Sequence, residues 1–123
     1  MKWFDLGWKE LQTPESNAFI FTAEKGEYKT VSEFGQACAS IEDDECFLIE
    51  PFNKKDYNAA EISEKEFWER CTTTISQYLK DNTEMQLNSI NTVVRFWDEW
   101  NNSFYAVELK NGKFYGVFWW TTA

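Results

Sequence analysis

Three cysteines and two short runs of carboxylates are the side chains of this 123-residue chain whose types point to chemistry. A cysteine or serine nucleophile needs a base beside it, and the chain contains no histidine, which removes the usual base at neutral pH and the commonest zinc, copper and iron ligand. Cys38, Cys46 and Cys71 show no C-x-x-C spacing and are odd in number, so they read as reduced, buried thiols rather than a disulfide framework or a zinc site. The run Asp43-Asp44-Glu45 invites a hard cation, yet it lacks the alternating spacing and the glycine of a calcium loop, and the solvated acidic turn is the favoured reading. Asp98 and Glu99 are adjacent, so together they cannot flank a glycosidic bond, and no second carboxylate is nominated by position. With five glycines in the whole chain there is no phosphate cradle, dinucleotide fingerprint or nucleophile elbow. The expectation is a protein that is not an enzyme and holds no metal or cofactor.

Charge is the more specific signal. Twelve Lys and Arg face 21 Asp and Glu, a net charge of −9. Nucleic-acid affinity rests on cations that release counterions from phosphates, so direct DNA or RNA binding is disfavoured. The excess is one-sided: residues 1–62 carry 13 acidic and 6 basic side chains, residues 63–123 carry 8 and 6. No basic residue falls between Lys29 and Lys54, while Glu33, Glu42, Asp43, Asp44, Glu45 and Glu50 do. Such a surface steers a basic partner, although acidity also serves plain solubility.

The opening MKWFDLGWKEL is charged throughout and offers no export signal. The longest uncharged stretches, residues 85–94 and 114–123, fall well short of the ~18 residues a membrane-spanning helix requires. A cytoplasmic location and no membrane partner are expected.

The elements that must position these groups form a single domain, residues 1–123. Trp3, Phe4, Trp8 and Leu11 share one helical face and Pro14 ends the segment, which predicts a first helix. Residues 18–23 read as a strand that turns through 24–27 into a second strand at 28–31. Thr30 and Glu33 have capping-box spacing ahead of a short helix carrying Phe34, Ala37, Cys38 and Ile41. Residues 46–49 read as a buried strand stopped by Pro51, and 53–61 as loop. Ser63 and Glu66 form a second capping box before Phe67, Cys71, Ile75 and Leu79, which predicts one helix over 64–80 with a Glu66–Arg70 pair on its surface.

From Thr92 onward the period becomes two. Asn111-Gly112 reads as a two-residue turn, which sets Leu109 opposite Phe114, Val107 opposite Gly116 and Tyr105 opposite Phe118. Asn101-Asn102, read the same way, sets Phe96 opposite Val107 and Arg95 opposite Glu108. One face of this meander is then Val94, Phe96, Tyr105, Val107, Leu109, Phe114, Phe118 and Trp120. The other carries Arg95, Trp97, Phe104, Glu108, Tyr115, Val117 and Trp119, so it is either covered by the helix bearing Trp3 and Trp8 or exposed to a partner. The fold class is α+β: an antiparallel sheet of about five or six strands, a C-terminal three-stranded meander, and two or three helices packed on it.

The size, the acidic N-terminal half with EDDE at Glu42 to Glu45, and the aromatic finish NSFYAVELKNGKFYGVFWWTT resemble the small cytosolic immunity proteins of bacterial contact-dependent growth inhibition and related polymorphic toxin systems. These families share no common motif, so the resemblance assigns no binding residue by position. It implies a stoichiometric toxin inhibitor, or antitoxin, which covers the active site of a cognate toxin, often a basic nuclease. Tight protein–protein interaction of that kind uses aromatic anchors ringed by carboxylates. The candidate partner-binding residues are Glu42, Asp43, Asp44 and Glu45, with Trp97, Glu99 and Trp119 as a second patch. A phage or host regulator that mimics nucleic acid with its acidic face is the alternative, and a small carboxylate- or metal-dependent enzyme the third reading. A homodimer through the aromatic face is compatible with all three.

Overall fold

The last third of the chain alternates large apolar side chains over three runs, and these form the centre of the sheet. The structure, a computed structural model, describes residues 1–6, 16–40 and 59–121. Its strands are β1 (Lys2–Asp5), β2 (Ser16–Ala23), β3 (Ala60–Ile62), β4 (Ile90–Asp98), β5 (Asn102–Leu109) and β6 (Phe114–Thr121); its helices are α1 (Val31–Ala39), α2 (Glu64–Arg70) and α3 (Thr73–Asn82). All six strands join one antiparallel sheet in the order β1-β2-β6-β5-β4-β3, and β4, β5 and β6 make the expected meander. The expected α+β architecture is therefore the one observed.

Both faces of the sheet are covered. On one, α1 packs Val31, Phe34 and Cys38 against Phe19, Phe21, Phe96, Phe104, Phe114 and Phe118. Phe34 stacks on Phe114 with ring centroids 5.3 Å apart. Gly35 permits this close approach: a Cβ there would lie 2.1 Å from the Phe96 ring. On the other face, Phe67 of α2 and Ile75 and Leu79 of α3 cover Ile20, Val93, Tyr105, Val107, Leu109 and Val117. Phe67 meets the Tyr105 ring edge-on at 5.6 Å.

Several local expectations are corrected. Trp3 lies in β1 rather than on a helix, pairing with Phe21 and meeting Phe19 edge-on at 5.4 Å. Trp8 and Leu11 lie outside the described residues. No hairpin follows β2: the turn at Gly26, whose φ is 85°, leads into α1, with Thr30 Oγ1 accepting from Glu33 N at 3.1 Å as its cap. Ala60 and Glu61, expected in a loop, pair with β4. The strand expected at 46–49 also lies outside the described residues.

The single helix expected over 64–80 is two. Cys71 takes an extended conformation, and Thr72 restarts the chain as an N-cap, accepting from Ile75 N at 3.2 Å. Threonine competes for backbone donors in this way, which favours it at caps over helix interiors. Arg70 then turns away from Glu66 and donates to Asp98 at 2.6 Å, while Glu66 lies 4.0 Å from Arg95.

The register of the meander is shifted. Phe104, not Tyr105, sits opposite Phe118, and Val107 faces Tyr115. Gly112 N donates to Leu109 O at 2.9 Å and Leu109 N to Lys113 O at 2.8 Å, and within the turn only Gly112 has positive φ, at 93°. That is a three-residue loop closed by a glycine bulge, not a two-residue turn needing positive φ at both central positions. Across β4 and β5 the register slips twice, between Ile90 and Thr92 and between Arg95 and Trp97, so Arg95 faces Tyr105 and Val93 faces Val107. A one-residue slip moves a strand's side chains to the opposite face. Tyr105, Val107 and Leu109 thus face α2 and α3, and Phe104 joins Phe114 and Phe118 beneath α1. The face left open by the sequence is covered, by these helices rather than by one bearing Trp3.

Candidate functional site

The strand ends bring several polar and aromatic groups to one end of the sheet. Asp98 closes β4 opposite Ser103, and Ser103 lies opposite Trp119 near the end of β6. The connection between β4 and β5 is the stretch Glu99-Trp100-Asn101. Asp98 is the fixed point beside it: Oδ2 accepts from Arg70 Nη1 and Oδ1 from Ser103 Oγ, both at 2.6 Å. Glu99 N donates to Asn102 O at 2.7 Å, and Asn102 Nδ2 to Asn101 Oδ1 at 2.8 Å. The connection is short and fastened at both ends.

Of the residues nominated by sequence, Glu42, Asp43, Asp44 and Glu45 lie outside the described residues. Trp97 and Trp119 do not form a patch. The bulge before Trp97 turns its ring under α1, where it is 6% exposed and packs 5.3 Å from Phe104 and 5.9 Å from Phe118. Trp119 is half-buried on the opposite face, against the cluster built by α2 and α3. Glu99 is exposed at the turn. Trp97 is thus a core side chain, unable to reach a partner while the sheet is intact.

Trp100, not singled out by sequence, is the aromatic that the fold leaves outside among the described residues. It is 77% exposed, against 61% for Leu87 and 37% for Met1, the other exposed large apolar residues among those described. The signal was present: Trp100 stands among Asp98, Glu99, Asn101 and Asn102, a polar turn with no strand neighbour to cover a ring.

Beside the turn, the α2–α3 break and the sheet form a narrow cleft lined by Arg70, Cys71, Ile75, Ser103, Tyr105 and Trp119. The Tyr105 hydroxyl is buried there, close to Asp98. Burial first, and then the nearby Asp98 charge, push its pKa above the usual phenol value. The same two causes push the Cys71 thiol up to about 12, and burial raises Cys38 well above its ordinary value. Both thiols are protonated at neutral pH and are poor nucleophiles, since reactivity belongs to the thiolate.

Among the described residues, no group of three Cys, Asp or Glu side chains is placed to hold a metal ion, and no helix is long and apolar enough to cross a membrane. Several cations are engaged with carboxylates: besides Arg70 with Asp98, Lys113 reaches Glu84 at 2.6 Å and Glu24 at 3.9 Å, and Lys65 reaches Glu69 at 3.8 Å. The pull of Lys113 and then Asn111 holds the Glu84 carboxyl below its usual pKa.

No known protein family, curated protein or solved structure matches this chain.

Proposed function

We propose that this chain is an immunity protein that binds a cognate basic toxin in the cytoplasm, a nuclease being the class its charge fits, and neutralises it by covering the active site. The reading is supported chiefly by the charge of −9. Described cations such as Arg70, Arg95 and Lys113 face carboxylates, so the surplus negative charge is left to act on what lies outside the molecule. A field of one sign raises the encounter rate with an oppositely charged partner and falls with ionic strength. The acidic run Glu42 to Glu45 is the proposed primary contact and Glu99 a further one. Mixing the chain with the purified toxin domain encoded immediately upstream should give a stoichiometric complex, and its expression should rescue growth of cells producing that toxin. Replacing Glu42, Asp43, Asp44 and Glu45 by lysine should slow association about tenfold or more at low salt and flatten its salt dependence. Binding that instead displaces DNA from a DNA-binding effector would move the protein to the nucleic-acid mimics.

A further inference from the structure

Among the described residues the aromatic surplus is mostly spent inside the molecule: Phe19, Phe21, Phe34, Phe67, Phe96, Phe104, Phe114 and Phe118 are all fully buried. Against that pattern Trp100 is an exception, with 77% of its surface in water at the tip of the β4–β5 connection. A tryptophan left in solvent contributes little to folding, because the stabilisation its large ring can supply comes from burial. It remains available to a partner instead.

The backbone that presents it is held on both sides. Asp98 is gripped by Arg70 from α2 and by Ser103 from β5, each at 2.6 Å, and the Glu99–Asn102 hydrogen bond of 2.7 Å closes the turn. Asn102 and Ser103, which follow the turn, are themselves buried. A ring carried on a fastened turn loses little conformational freedom when it docks, the condition under which contact area becomes affinity. Two of the neighbours of Trp100 in sequence are carboxylates, Asp98 and Glu99, and the molecule as a whole is strongly negative.

We infer that Trp100 is the anchor of a protein–protein interface, seated in an apolar slot of a partner whose rim carries Lys or Arg to meet Glu99. Interfaces concentrate their energy in a few centrally placed aromatic and Arg side chains, tryptophan foremost, ringed by polar contacts that exclude water. Asp98 and Arg70 hold the end of β4 from which the turn carrying the ring departs. The inference rests on the toxin-inhibitor reading for the identity of the partner.

The test measures affinity for the upstream-encoded toxin domain by calorimetry for the wild-type chain, Trp100→Ala, Trp100→Phe and Leu87→Ala. Leu87 is an exposed apolar control that precedes the opposite end of β4. Trp100→Ala is expected to weaken binding about 30-fold or more, Trp100→Phe to recover part of the loss, and Leu87→Ala to leave affinity unchanged. All variants should melt at the wild-type temperature, which separates lost contact from lost folding. Tight binding that survives Trp100→Ala overturns the anchor and leaves the inhibitor reading standing. Failure of the wild-type chain to bind overturns both. Sedimentation of the chain alone supplies the remaining arm: a dimer that Trp100→Ala abolishes would assign the ring to a second copy and overturn the basic partner.

Discussion

Cys71 shows most plainly how the fold changes a single side chain. Its position in the i, i+4 series Phe67, Cys71, Ile75, Leu79 marks it as core-facing, and burial in the cleft raises its thiol from 9.0 to about 12. The unfolded chain releases that proton near its ordinary value, so the protonated thiol favours the folded state once pH exceeds neither value, and the advantage is lost as pH climbs from about 9 towards 12. Cys38 and Tyr105 are shifted in the same direction by the same burial. Stability should therefore be level through neutral pH and fall on the alkaline side above about pH 9. Urea midpoints at pH 8 and pH 10.5 measure the fall, and Cys71→Ala should shrink it; an equal fall in the variant would show that this thiol does not titrate with unfolding. Neither the raised thiol nor the buried Tyr105 hydroxyl was legible in the sequence, because each depends on neighbours such as Asp98 that are distant along the chain.

At the scale of elements, the break at Thr72 decides where Arg70 points and hence how Asp98 is held. Thr72 Oγ1 satisfies the Ile75 amide at 3.2 Å, one of the donors that α3 would otherwise leave without a helical partner. Thr72→Ala should cost about 1 kcal/mol, measured by thermal or chemical unfolding, whereas Thr72→Ser should cost little. A neutral alanine variant would mean that water caps the helix equally well. The Ser63 and Thr30 caps were readable as S/T-x-x-E patterns, and they start helices where expected. Thr72 carries no such partner, so the continuous apolar stripe masked the break. The strands of the meander were legible for a related reason, since period-two alternation survives whatever the pairing, whereas the short β1 and β3 are too brief to show it. Their register was not: Asn-Gly serves both a two-residue turn and a three-residue loop with a glycine bulge, which differ by one residue in length and in whether Asn111 also takes positive φ. The consequence reached the candidate site, because the slip at Phe96 turned Trp97 inward and left Trp100 as the outward ring.

At the scale of the whole molecule, a charge of −9 acts on the fold itself as well as on any partner. Like charges at the surface repel one another and oppose the compact state, while the ion pairs Lys65–Glu69, Arg70–Asp98 and Lys113–Glu84 work the other way. Both effects are screened by salt, so their relative sizes fix the sign of the response. Exposed pairs contribute about 0–1 kcal/mol each, and the 21 Asp and Glu outnumber the 12 Lys and Arg by nine, so pairing cannot neutralise the whole surplus. Raising ionic strength from about 0.01 M to about 0.15 M shortens the screening length from roughly 30 Å to roughly 8 Å, enough to uncouple carboxylates on different elements but not partners in contact. Repulsion should therefore be the term that is lost, and the melting temperature should rise by a few degrees across that range of NaCl at pH 7. A fall would show that the ion pairs outweigh the surplus charge. It would also weaken the case that this negative field is strong enough to draw in a basic partner.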